Sequence, residues 1–129
     1  MSWNKLGRIF DPESKERHHK LATHSANPLA VHMEGDIYRV FYSARDSLNR
    51  SSVGAFDINL VTLEVVCEHF DPFFTHGEQG SYYEHGVSVG GCYSVDNVVY
   101  MLFMGWQNTD GKHWRGDIGR LLLDSKFEL

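Results

Sequence analysis

Cysteine is scarce in this chain, positive charge is in deficit, and no apolar run is long. Only two cysteines occur, Cys67 and Cys92, and their separation matches neither a disulfide framework nor a zinc-finger ligand set. Both sit in apolar, strand-like stretches and are expected to be buried free thiols. Twelve Lys and Arg face 17 Asp and Glu, a formal charge of −5. A phosphate backbone or an anionic membrane would find no basic surface here, so neither nucleic acid nor membrane is an expected partner. The opening MSWNKLGRIF lacks the apolar core of a secretion signal, and no segment approaches the length of a membrane span. Cytoplasmic residence follows as the expectation. Cofactor and metal signatures are missing too. SVGGCYS is a strand–turn stretch rather than a phosphate loop, and the eight histidines show no His-x-x-x-His pair and no Cys–His ligand set. Neither a Gly-x-Ser-x-Gly elbow nor a cysteine–histidine signature occurs.

What is present points to strands. The 129 residues suffice for a single domain, 1–129, with a modest core. Hydrophobic residues make up 42% and charged residues 22%, a globular balance, and the 13% aromatic content suits pleated, half-buried surfaces.

The chain also repeats itself. Ile37–Arg45 (IYRVFYSAR) falls on Val99–Gln107 (VYMLFMGWQ) at an offset of 62, matching Tyr38 to Tyr100, Val40 to Leu102 and Phe41 to Phe103. Further on, Gly54 matches Gly119 at an offset of 65, so a three-residue insertion is expected around NTDGKHWRGD. In the first copy, strands are predicted over Pro28–Met33, Ile37–Ala44, Ser51–Ile58 and the β-branched run after Asn59, with a tight turn at Glu34–Asp36. In the second, the turn is Ser94–Asn97, and the chain ends on the third strand and the start of a fourth. The expected fold is therefore all-β. It would consist of two four-stranded antiparallel blades of β-propeller type, over approximately 22–70 and 80–129, after an N-terminal segment 1–21. Two such blades cannot close a ring, so the propeller is incomplete or is completed by a homo-oligomer. A β-sandwich with look-alike hairpins is the alternative. The segment Trp3–Phe10 is expected to cover or complete a blade edge.

HSANPLAVHMEGDIYRVFYSARDSLNRSSVGAFDI and GEQGSYYEHGVSVGG…VVYMLFMGWQN, with the opening WNKLGRIFDP, resemble the first two blades of the five-bladed propeller glycosidases, the arabinanase-, xylosidase- and invertase-like group. The resemblance implies a central funnel that takes carbohydrate. It also implies carboxylates on the inner strands, placed about 5–5.5 Å apart for retention or about 6.5–9.5 Å for inversion. Two departures stand out. Asn27, before Pro28, occupies the position that is an Asp in the first blade of the group, and an amide cannot act as a carboxylate base. Tyr83 replaces the second-blade Asp, and Glu84 sits one place over, on the opposite face of a strand.

Asp46 and Glu84 remain as candidate catalytic carboxylates. Asp46 is read either as a sugar-hydroxyl ligand oriented by Arg45 or as the first residue of a solvated turn. Glu84 with His85 is read as an acid–base pair or as loop polarity. His24, Asn27, Arg45, His85 and Trp106 are the candidate substrate-binding residues, Trp106 by stacking on a sugar face or else by packing between blades. Trp114 draws notice because it lies in the longest polar loop. Two classes of function follow. One is a glycosidase-like chain, degenerate or partial, that binds carbohydrate in a shared funnel, with an active hydrolase completed by oligomerisation or by a longer chain as its variant. The other is a structural oligomeric scaffold.

Overall fold

The computed structural model describes residues 2–13 and 16–129; Met1, Ser14 and Lys15 of the N-terminal segment lie outside the described residues. Seven strands form: β1 (Thr23–Glu34), β2 (Ile37–Arg45), β3 (Ser51–Asn59), β4 (Glu64–Phe74), β5 (Gly86–Val95), β6 (Val98–Gln107) and β7 (Arg115–Leu123). The chain is all-β, and its mixed sheet does not close on itself. β1 to β4 make a four-stranded antiparallel meander, and β5 to β7 make a three-stranded one. A single parallel bridge, Ser51 to Gly86, joins the two units. No described helix is long and apolar enough to cross a membrane.

Local chemistry explains the turns. Gly35, at φ 52°, takes the first central position of the β1–β2 hairpin, which a type II′ turn reserves for glycine. Asp96 and Asn97, at φ 49° and 64°, make the β5–β6 turn of type I′, where short Asx side chains tolerate the left-handed region. After β7, the Asp124 carboxylate accepts from the Lys126 and Glu128 N–H groups, and the Asp124 N–H donates to the Glu128 carbonyl. Asp46–Arg50 closes the β2–β3 hairpin with the same pattern. The expected start of a fourth strand is thus a hairpin turn over Asp124–Glu128, and no strand is described beyond it.

Two apolar clusters fill the molecule. Between the sheets lie Phe41, Val53 and Ala55 of the first unit and Val87, Val89, Met101, Phe103 and Leu123 of the second. On the other face of the first sheet, Leu21, Val40, Tyr42, Ala44, Phe56 and Ile58 pack beneath the N-terminal segment. There Phe10 stacks on Phe56 at 4.3 Å between ring centroids, and Arg17 donates to the Tyr42 hydroxyl. Phe10 therefore covers a sheet face rather than an edge, while Trp3 is 96% exposed. The outer face of the second sheet is bare: Leu102, Ile118 and Leu122 are exposed.

The register corrects the repeat. The paired hairpin ends, Glu34 with Ile37 and Val95 with Val98, align the units at an offset of 61. Tyr42 opposes Gly54 and Phe103 opposes Gly119, so Tyr42, not Phe41, is the counterpart of Phe103. Eleven residues separate Tyr42 from Gly54 and fifteen separate Phe103 from Gly119, an insertion of four rather than three. Parity decides the geometry, because a shift of one residue turns a strand's side chains to the other face. At 61, the back face of each unit matches the back face of the other, and the two sheets stack head to tail. At 62 they would stack face to face.

The cysteines also depart from expectation. Cys67 is exposed, because β4 is an edge strand paired only with β3, and Cys92 is half-buried, where burial pushes its thiol pKa up.

A Cβ added at Gly119 would fall on the Phe103 ring, whereas one at Gly91 would meet open space. Gly119→Ala is expected to cost about 1–3 kcal/mol through overpacking. Gly91→Ala should stay within about 0.5 kcal/mol of wild type. Urea midpoints of the two variants measure the difference.

Candidate functional site

The registers bring the starts of β1, β3, β5 and β7 and the ends of β2 and β6 to one end of the molecule. There the two units enclose an open cavity of about 280 Å³. His24, Asn27, Arg45, His85 and Trp106 all line it, together with Ser43, Asn49, Ser51, Ser88 and Trp114. Five of the seven residues selected from the sequence thus share one cavity.

The first strand reaches the cavity by breaking its own ladder. β1 shifts register between Thr23 and Ala26 and again between Ala26 and Leu29. His24 and Asn27, one in each irregular stretch, have φ of 66° and 52°, a region that non-glycine residues seldom occupy. Such bulges re-aim side chains, and strained backbone of this kind clusters at binding sites. Pro28 adds to the constraint by disfavouring right-handed helical geometry at Asn27.

The polar wall comes from β2 and its loop. Arg45 Nη1 donates to Asn49 Oδ1 at 2.8 Å, and Asn49 is itself in the left-handed region at φ 63°. Ser43, only 5% exposed, carries a hydroxyl with no hydrogen-bond partner. On the opposite side, His85 Nδ1 accepts from the Asn108 N–H at 3.3 Å, so the neutral ring carries its proton on Nε2. The Trp114 ring stands edge-on to His85 at 5.9 Å. Trp106 pairs with Gly86 and Gly116 on the neighbouring strands, and a Cβ at Gly116 would come within 3.1 Å of its indole, so that glycine leaves room for the ring. Trp114 sits in the four-residue insertion that distinguishes the second unit from the first.

The two candidate carboxylates are elsewhere. Asp46 is buried behind the β2–β3 turn, where Oδ1 accepts from the Leu48 and Arg50 N–H groups and Oδ2 from Arg50 Nε. Burial pushes its pKa up, but the Arg50 and Leu48 hydrogen bonds outweigh burial and hold it below the usual carboxylate value. His76 Nε2, in the loop after β4, lies 3.6 Å from Asp46 Oδ2 in a buried setting that lowers the imidazole pKa. Glu84 accepts from the Gly80 N–H and lies 3.7 Å from His85 Nε2, lining a separate depression with Arg50 and Gln79. Tyr83 packs against Phe74 and Phe103, inside the inter-sheet core.

A metal-ligand trio also occurs at the far rim: Asp57, Cys67 and His69 place ligand atoms within 4.8 Å of one another. Arg39 already holds Asp57 through two hydrogen bonds, of 2.8 and 3.2 Å, and its guanidinium opposes a cation at that carboxylate.

No family model matches the chain, and no solved structure matches it. It is similar to two curated proteins of Mycobacterium tuberculosis, named Uncharacterized protein MT1551 (strain CDC 1551 / Oshkosh) and Uncharacterized protein Rv1502 (strain H37Rv). Each is 32% identical over 123 residues, which cover 92% of this chain and 40% of the relative. The chain therefore spans about two fifths of the length of the curated relatives it matches.

The depressed pKa of Asp46 carries a stability prediction. A carboxylate whose folded pKa lies below its unfolded value near ~3.9 stabilises fully above that value and loses the contribution as pH falls through the folded pKa. Asp46→Asn is expected to be less stable than wild type at neutral pH and to lose less stability between neutral and strongly acidic pH. Urea melts across that range measure both slopes; parallel curves for the two proteins would contradict the assignment.

Proposed function

We propose that this chain is a two-unit, propeller-type relative of the five-bladed glycosidases that binds carbohydrate without hydrolysing it. One observation carries the reading: a single cavity has hydrogen-bonding groups from His24, Asn27, Ser43, Arg45 and His85 on its walls and two indoles, Trp106 and Trp114, beside them. A sugar ring offers hydroxyls at its rim and apolar C–H faces, and this mixture suits both. Hydrolysis needs two carboxyl groups about 5–9.5 Å apart across the scissile bond, and no carboxylate lines this cavity. The head-to-tail stacking of like units supports the kinship with propellers, in which each blade offers its front face to the back of the next. A second reading, an active hydrolase completed by a longer chain or by further copies, draws on the greater length of the relatives. Fold likeness by itself decides neither.

Glycan-array screening followed by NMR titration tests the binding. Removing the indole in Trp106→Ala should weaken affinity about tenfold, more than Asn27→Ala, because a neutral hydrogen bond nets only ~0.5–1.5 kcal/mol against water. Aryl glycosides should not turn over. Binding untouched by either substitution, or turnover abolished by Glu84→Gln, would overturn the reading.

The bare face of the second sheet bears on assembly. The back face of each copy is already covered by Phe10 and Leu21, so a second copy meets Leu102, Ile118 and Leu122 with the same residues of its own, in a two-fold pair. Light scattering should give a dimer mass that Ile118→Glu reduces to the monomer. A monomer for the wild type would remove the association and leave the cavity reading intact.

A further inference from the structure

We infer that the cavity selects a sugar bearing a single negative charge, a uronate or a sugar sulfate, over its neutral counterpart; this rests on the carbohydrate reading of the same site. The first observation is the sign of the lining. In a chain of formal charge −5, the cavity is lined by one guanidinium, two imidazoles, two amides and three hydroxyls, and by no carboxylate. A concave site of one sign in a protein of the other concentrates ions of the protein's own sign at that point.

The second observation is how Arg45 is held. Arg39, Arg50 and Arg115 each pair with an aspartate at 2.6–2.8 Å, whereas Arg45 has no carboxylate partner among the described residues. Among the described residues its acceptor is the neutral Asn49 amide. That contact fixes the side chain without neutralising it, and the planar fork suits the paired oxygens of a carboxylate or sulfate. The nearest carboxylates are engaged elsewhere: Asp46 is paired with Arg50 at 2.8 Å, and Glu84 accepts from the Gly80 N–H and lies beside His85 in a neighbouring depression.

A third observation points to an occupant independently of charge. Ser43, on the cavity wall, has a buried Oγ with no partner among the described residues, and a buried hydroxyl left unpaired costs stability until something bonds to it. A ligand hydroxyl or anionic oxygen beside Arg45 would supply that bond. Arg45 is the one Lys or Arg side chain among the lining residues, and a single guanidinium fork matches a monoanion better than a phosphate dianion.

The test is an NMR titration of the wild-type chain with galacturonic acid, its methyl ester, galactose 6-sulfate and galactose, at low and high ionic strength. Galacturonate is expected to bind at least ~tenfold more tightly than galactose or the ester, since hydrogen bonds to charged groups exceed neutral ones by about that margin. Salt should narrow the gap, and Arg45→Gln should close it without shifting the urea midpoint, because Arg45 is exposed. If the sulfate alone shares the preference, the selected anion is the sulfate ester; if galacturonate alone does, it is the uronate. Equal binding of galactose, galacturonate and galactose 6-sulfate would overturn the charge selection and leave the carbohydrate reading standing. Failure of every sugar to bind would overturn both. The methyl ester removes the charge from the ligand rather than the protein, so the result does not depend on the variant folding.

Discussion

Phe41 and Phe103 sit in the layer between two sheets, and most of the architecture follows from the demand that each sheet bury a face there. A pleated sheet has two faces, and a three- or four-stranded one cannot keep both apolar faces in water. The first unit resolves this with the second unit in front and the N-terminal strip, Phe10 and Leu21, behind. The second unit has a neighbour on one side only, which leaves Leu102, Ile118 and Leu122 in solvent.

The cavity is a by-product of the same stacking, sharpened by three irregularities. Two register shifts in β1 turn His24 and Asn27 inward, and the insertion before β7 brings Trp114 over His85. Regular strands would have supplied neither. What one repeat has and the other lacks is what builds the pocket.

Much of this was legible in the sequence. Aromatic and β-branched alternation marked the strands, Gly35 and Asp96–Asn97 marked the hairpins, and polar residues at the strand ends marked the cavity. The hidden part was parity. Identical letters, Tyr38 with Tyr100 and Phe41 with Phe103, favoured an offset of 62, while the hairpin ends set 61. Identity scores do not register which face a residue occupies. Asp46 shows a second limit, since a turn aspartate and a ligand aspartate share the same neighbours in sequence, and only the Leu48 and Arg50 N–H groups folded onto its carboxylate separate them. Ser43 did leave a signal that went unread: the one aliphatic hydroxyl inside the run Val40–Ala44, at a position that is buried. Cys67 was misjudged for the opposite reason, because edge-strand position is a tertiary fact.

The strip bearing Phe10 has a consequence beyond covering apolar side chains. Units that stack front to back are heterologous, and a molecule with both a free front and a free back can add copies indefinitely, as a filament. By stacking on Phe56 and lying against Tyr42, Phe10 occupies the back, so of the two outer faces the one bearing Leu102 is the open one. Phe10 thus denies that face to a like unit, an effect set by where one aromatic ring lies rather than by any site it forms.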